Sequence, residues 1–175
     1  MTESRWQVGD PPEAFVDFCA CALPEVYGYL VARCGDRATA EDLTSATFEA
    51  ALSAVRRATV TDLSTGWLIV VARRRLIDHW RREERDARRL EAFGCDEIDA
   101  GFDDWDDTIE PPVGMIALAR LGPHHRAALT LRYVDGLSVA EVARELARGH
   151  DATEALLQRA RRAFRRAYEE VRTHA

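Results

Sequence analysis

Residues 136–162 run GLSVAEVARELARGHDATEALLQRARR, two short amphipathic helix patterns joined by a Gly-containing break. Ser138 stands three residues before Glu141, the spacing at which a serine oxygen and a glutamate side chain satisfy each other's end of a new helix. Val139, Val142, Ala143 and Leu146 then fall on one face. Arg148, Gly149 and His150 interrupt the pattern, and Asp151 with Glu154 repeats the capping arrangement. Leu156, Ala160, Ala163, Phe164, Ala167 and Val171 form a second apolar stripe, on a helix that also carries Arg159, Arg161, Arg162, Arg165 and Arg166. Two helices across a tight turn with a basic second member are the pattern of a helix-turn-helix. An ordinary helical hairpin with a solvated basic face has the same periodicity, so the stretch alone leaves both open.

The remaining chain supplies the context. At 175 residues and 47% apolar content it suits one ordinary globular domain or two small helical ones. No apolar run approaches the roughly 20 residues that span a bilayer, and the first residues lack a signal-peptide core, which predicts a cytoplasmic protein without membrane insertion. Cys19, Cys21, Cys34 and Cys95 make no C-x-x-C pair and have no His at a ligand spacing, so neither zinc nor any cofactor is expected. Cys19, Cys21 and Cys34 lie in an apolar helical segment, where buried thiols are the default.

The net charge of −6 conceals its distribution. Residues 1–66 hold ten Asp/Glu against five Arg, and residues 67–95 hold five against eight. Residues 96–110 hold eight acids and no base, whereas residues 111–175 hold seven acids and eleven Arg. One acidic stretch accounts for the sign, and two basic segments remain available for phosphate. Every basic residue is Arg, which favours bidentate contacts to phosphate and guanine.

In chain order, Pro12 is placed like a first-turn proline, and Phe15, Phe18, Cys19, Ala22, Val26, Tyr27, Leu30 and Val31 recur at helical spacing. Pro24 falls inside that stripe and predicts a kink or break. Gly35 suits a helix C-cap. Thr39 and Asp42 look like the cap of a second helix in which Leu43, Ala46, Thr47, Ala50, Ala51 and Ala54 share a side. Residues 58–66 are a polar turn segment, with Ser64 or Thr65 able to cap a third helix over 67–89. That helix keeps Val70, Ala72, Leu76, Ile77 and Trp80 on one face and spreads seven or more arginines over the rest, either as a solvated surface or as one that meets nucleic acid. Residues 93–112 lack any period and are rich in acid, Gly and Pro, the composition of a flexible linker. Helical order returns from Met115, with a turn at Gly122 and Pro123 and a second helix ending at Gly136. The expected fold is all-α, two small helical domains over 10–92 and 113–172 joined by the acidic tether 93–112.

The succession AEDLTSATFEAAL at 40–52, GWLIVVARRRLIDHWRR at 66–82 and LARLGPHHRAALTLRYVDGLSVAEVARELARGHDATEALLQRARRAF at 118–164 resembles bacterial RNA polymerase sigma factors of the extracytoplasmic-function (ECF) group. The resemblance implies a sigma-2-like domain and a sigma-4-like helix-turn-helix domain. It makes Glu41, Asp42, Thr44, Ser45 and Phe48 candidates for docking on the clamp coiled coil of the polymerase beta-prime subunit. It makes Asp62, Arg73, Arg74, Arg75, His79, Trp80, Arg81 and Arg82 candidates for contact with a melted minus-10 strand, where flipped bases enter pockets and arginines meet phosphates. Minus-35 duplex would be met by Arg148, His150, Thr153, Glu154, Gln158, Arg159, Arg161 and Arg162. Where the family commonly carries Lys and Arg at the start of this recognition helix, this chain has Glu154 and Leu156.

The implied function is that of a dissociable, non-enzymatic specificity subunit, monomeric when free. It would bind core RNA polymerase, including its beta subunit, together with promoter DNA and an anti-sigma factor. No nucleophile–base pair, phosphate loop or metal cluster in the sequence suggests an enzyme. Two other readings fit the residues: a helix-turn-helix regulator acting without polymerase, and a helical interaction module whose DNA-binding motif has decayed. For the tether, the acids can serve as a solvated spacer, mimic nucleic acid, or fold back on the basic faces.

Overall fold

The computed structural model describes residues 5–34, 36–92 and 112–174. The expected Gly35 cap and nearly all of the acidic tether lie outside these residues. Among these residues the fold is all-α apart from one short ribbon, and the chain divides into two compact units, Met1–Leu76 and Ile77–Ala175.

In the first unit, strand β1 (Arg5–Gln7) precedes helices α1 (Pro12–Cys34) and α2 (Arg37–Arg56), followed by strand β2 (Asp62–Ser64) and the start of the long helix α3 (Thr65–Ala92). Helix α1 buries Phe18, Ala22, Val26, Leu30 and Cys34, a strict four-residue repeat that packs on α2. Pro24 does not break it. Its missing N–H falls on the exposed side of the helix, where water can take the freed carbonyl, while the buried stripe continues on both sides of it. Cys34 is buried, Cys19 half-buried and Cys21 exposed, so only one of the three follows the default for an apolar helix. By length and composition α1 is apolar enough to cross a membrane, with a mean hydropathy of 1.4, because its few charges are spread among apolar residues rather than ending the run. Its buried stripe instead faces a neighbouring helix.

Helix α2 begins earlier than its sequence suggests. Asp36, not Thr39 or Asp42, is the cap: its carboxylate accepts from the Thr39 backbone N–H at 2.7 Å. The buried face is accordingly Ala40, Thr44, Thr47 and Ala51. The two threonine hydroxyls donate to the carbonyls of Ala40 and Leu43, both at 2.7 Å, which satisfies them inside the core.

The segment expected as a plain turn contains β2, paired antiparallel with β1 so that Trp6 faces Leu63. Both are buried, and the Trp6 ring meets Phe15 of α1 edge-on at 5.5 Å. A three-residue strand is too short to show alternation, and its partner lies far away in sequence, so no local pattern announces it. Ser64 caps α3, its hydroxyl accepting from Trp67 N–H at 3.2 Å.

In the second unit the later turns of α3 join helices α4 (Val113–Ala119), α5 (Pro123–Leu129), a π-helical turn (Thr130–Val134), α6 (Val139–Glu145) and α7 (His150–His174). Helices α4, α5 and α6 pack on α7 around Ala117, Leu121, Ala128, Leu129, Leu156, Leu157, Ala160 and Ala167. Arg126 is buried and donates to the carbonyls of Ala119 and Leu121, at 2.9 and 3.2 Å, closing the end of α4 with a cation suited to a helix C-terminus. Gly136 ends the preceding segment at φ 73°, a left-handed conformation that favours glycine.

Candidate nucleic-acid interface

The helix-turn-helix forms from the residues expected to form it. Ser138 Oγ accepts from Glu141 N–H while the Glu141 carboxylate accepts from Ser138 N–H at 2.8 Å, a complete capping box at the start of α6. Val142 and Ala143 anchor α6 in the core. The turn that follows passes through Ala147 at φ 51° before α7 begins at His150.

The start of α7 differs from the expectation. Asp151 lies within the helix rather than capping it, and Thr153 is fully buried, its hydroxyl donating to Gly149 carbonyl at 2.9 Å. Thr153 therefore fixes the first turn of α7 instead of presenting a polar group to a groove. Leu156, Leu157 and Ala160 turn inward, leaving His150, Glu154, Gln158, Arg159, Arg161 and Arg162 exposed. Arg148, just before α7, lies 3.7 Å from Glu84.

Farther along α7, Arg159, Arg162, Arg165 and Arg166 border an open groove of about 620 Å³ with Ala163 and, from α5, His125. No acid lines it. Burial, reinforced by His124 and Arg159, holds the His125 imidazole below its ordinary pKa, and Glu84 opposes this more weakly. Arg165 and Arg166 were visible as part of an arginine cluster. His125 carries no sequence signal for this groove, because only the packing of α5 on α7 brings it there.

On α3, Arg74, Arg75 and Arg82 are exposed, and Arg74, Asp78, Arg82, Arg85 and Arg89 recur along one side at helical spacing. Arg73 is half-buried, and His79 Nε2 lies 3.5 Å from Glu83 of the same helix. Trp80, expected to stack on an unpaired base, is 2% exposed, because it continues the buried series Leu68, Ala72, Leu76 and Ile77. Arg81 donates to the Glu145 carbonyl at 2.6 Å. Asp62, expected at the minus-10 strand, is bound by Arg5 at 2.8 Å across the two-stranded ribbon.

On α2, Glu41, Asp42 and Ser45 are exposed and Phe48 is half-buried, whereas Thr44 points into the core. Glu41 pairs with Arg37 at 3.1 Å. Glu41, Ser45, Phe48 and the exposed Leu52 follow one another on a single face, an acidic entrance to an apolar strip.

Comparison with known proteins gives these surfaces a family. Residues 20–86 match the model of sigma-70 region 2, and residues 117–164 match that of sigma-70 region 4. The chain is 34% identical over 145 residues to the ECF RNA polymerase sigma factor BldN of Streptomyces coelicolor, a match covering 81% of this chain and 55% of that protein. It thus spans about half the length of that relative. It is 30% identical over 135 residues to the RNA polymerase sigma factor CarQ of Myxococcus xanthus, covering 74% of this chain and 75% of CarQ. Among solved structures, the sigma factor RpoE in complex with the anti-sigma factor NepR from Bartonella quintana shares the fold, with a TM-score of 0.55 at 17% identity over 90% of this chain and 98% of that one. With region 2 spanning most of α1 to α3, region 4 spanning the helix-turn-helix, and relatives matched across both, the chain belongs to the ECF group of the sigma-70 family of transcription initiation factors.

Proposed function

We propose that this protein is a dissociable sigma factor that binds core RNA polymerase and directs promoter-specific initiation by reading minus-10 and minus-35 elements and aiding DNA opening. The observation that carries this reading is the presentation of α7. Its apolar stripe is buried against α4 and α5, and its opposite face exposes Glu154, Gln158, Arg159, Arg161 and Arg162 on one rigid helix. Glutamate accepts from the cytosine amino group, glutamine pairs with adenine, and arginine pairs with guanine or phosphate. These residues, with Arg148 and His150, read the minus-35 duplex.

Residues 10–92 serve core docking and the minus-10 element, and residues 113–172 serve the minus-35 element, with the acidic segment 93–112 between them. Glu41, Asp42, Ser45 and Phe48 engage the beta-prime clamp coiled coil, the beta subunit completing the polymerase interface. Arg73, Arg74, Arg75, His79 and Arg82 hold the melted strand. The protein acts in the cytoplasm as a monomer when free, needs no cofactor and has no enzymatic activity of its own. RpoE was crystallised with an anti-sigma factor, and a partner of that kind belongs to this reading as well.

Run-off transcription with core polymerase over a genomic fragment library tests it. Discrete transcripts that require the protein are expected, and no transcript above core alone would overturn the reading.

A further inference from the structure

Strand β1 lies outside residues 20–86 that match sigma-70 region 2, yet it is paired with the segment that carries Asp62, a minus-10 candidate. The ribbon sets Arg5 opposite Ser64, Trp6 opposite Leu63 and Gln7 opposite Asp62. Side chains along a strand alternate between faces, so Trp6 and Leu63 enter the core while Arg5, Gln7, Asp62 and Ser64 share the outer face. Both ends of the ribbon are tied down. Val8 N–H donates to the Thr61 carbonyl at 2.9 Å, and Asp10 Oδ2 accepts from Gln7 N–H at 2.8 Å. At the other end Ser64 caps α3, so the ribbon runs directly into the helix that carries Arg73, Arg74 and Arg75. The ribbon and the first turns of α3 belong to one compact unit, in which Arg74 follows Thr65 by about 14 Å of helix.

On the outer face of the ribbon Arg5 is the group that reaches solvent. Its side chain is 60% exposed against 35% for Asp62, and its Nη2 donates to Asp62 Oδ2 at 2.8 Å. Asp62 Oδ1 is shut off from solvent, so this carboxylate serves to hold rather than to read. Among the described residues the other N–H groups of Arg5 meet no acceptor. A long exposed side chain loses rotamer freedom when it binds, and a carboxylate that already fixes its direction removes part of that cost. Because Asp62 offsets its charge, Arg5 adds little net attraction to phosphate. What it adds is a directed fork of donors, which matches the adjacent O6 and N7 acceptors of guanine.

We propose that Arg5, positioned by Asp62, reads a guanine of the melted minus-10 strand, which makes strand β1 part of the DNA-binding surface. The inference rests on the promoter-reading function proposed above. Asp62 is then a positioning residue, and Gln7, exposed on the same face, borders the base that Arg5 contacts. The strand continues from the ribbon onto the arginines of α3, which hold its phosphates.

The test uses the full chain bound to core polymerase and two labelled single strands of about 12 nucleotides, one alternating guanine with thymine and one alternating cytosine with thymine. The readout is the ratio of the two affinities, which a general loss of charge or of stability does not move. The unaltered protein should prefer the guanine strand, and Arg5→Ala should lower that preference roughly fivefold. Arg5→Lys should lower it to a similar extent, since an ammonium keeps the charge but not the fork. Asp62→Asn, which loosens the hold on the guanidinium, should lower it as well. The same ratio in the unaltered protein and in all three variants would overturn the inference. So would equal weakening on both strands in Arg5→Ala with recovery in Arg5→Lys, because Arg5 would then hold phosphate. No binding of either strand beyond that of core alone would instead overturn the promoter-reading function, and this inference with it. Circular dichroism checks the fold; should Arg5→Ala fail to fold, Arg5→Lys, which keeps the ion pair to Asp62, carries the comparison.

Discussion

His125 sits near the start of α5 with its ring 4.3 Å from that of His124 and the arginines of α7 beside it. Burial, His124 and Arg159 all disfavour its protonated form. In the unfolded chain the imidazole takes up a proton at about pH 6.5. As pH falls through that value toward the depressed folded one, the unfolded state binds more protons and stability is lost; above it the stability is fully present. The urea midpoint should therefore fall between pH about 7.5 and about 5.5, and His125→Gln should fall less over the same interval. An equal acid-side loss in the two proteins would show that His125 does not contribute. The same scale explains which candidate residues turned inward. Thr44 and Thr153 each donate to a carbonyl four residues earlier, a use for a hydroxyl that a sequence cannot distinguish from an exposed polar contact.

At the scale of elements, the join between α6 and α7 is the exacting part. The capping box fixes where α6 starts, and Ala147 then adopts φ 51°, a region that disfavours any residue with a Cβ. Ala147→Gly should stabilise the protein by about 0.5–1 kcal/mol in urea denaturation, because relief of that conformation outweighs glycine's extra freedom in the unfolded chain. A loss of stability would mean that the turn is held without strain. Both helices of the motif were legible from period and caps, because each signal lies within a few residues of the structure it determines. The start of α7 was less so: Asp151 matches a cap in spacing, but the chain enters the helix one residue earlier at His150. Asp36 was missed for the converse reason, since Ala38 and Ala40 carry no mark of a helix already begun. The short ribbon of Arg5–Gln7 with Asp62–Ser64 depends on two distant segments meeting, and neither announces it alone.

For the molecule as a whole, the distribution of charge matters more than its sum. The groove along α7 adds Arg165, Arg166 and His125 to the arginines nominated for the minus-35 element. If those two arginines neutralise DNA phosphates, replacing both by Ala should lower the slope of log affinity against log salt by about 2, since each phosphate contact contributes about 0.9. Binding should weaken equally for matched and unmatched sequences. An unchanged slope would assign the two side chains to solvent. Helix periodicity, the serine–glutamate box and the order of three motifs determined the all-α class, the helix-turn-helix and the family, because each rests on interactions spanning a few residues or on a fixed succession along the chain. Tertiary structure alone decided that Trp80 is core, that Asp62 is bound to Arg5, and that Arg81, Glu84 and Arg148 converge on one turn. Burial and ion pairing depend on which distant segments meet, and an amphipathic pattern specifies that a face will be covered without specifying what covers it.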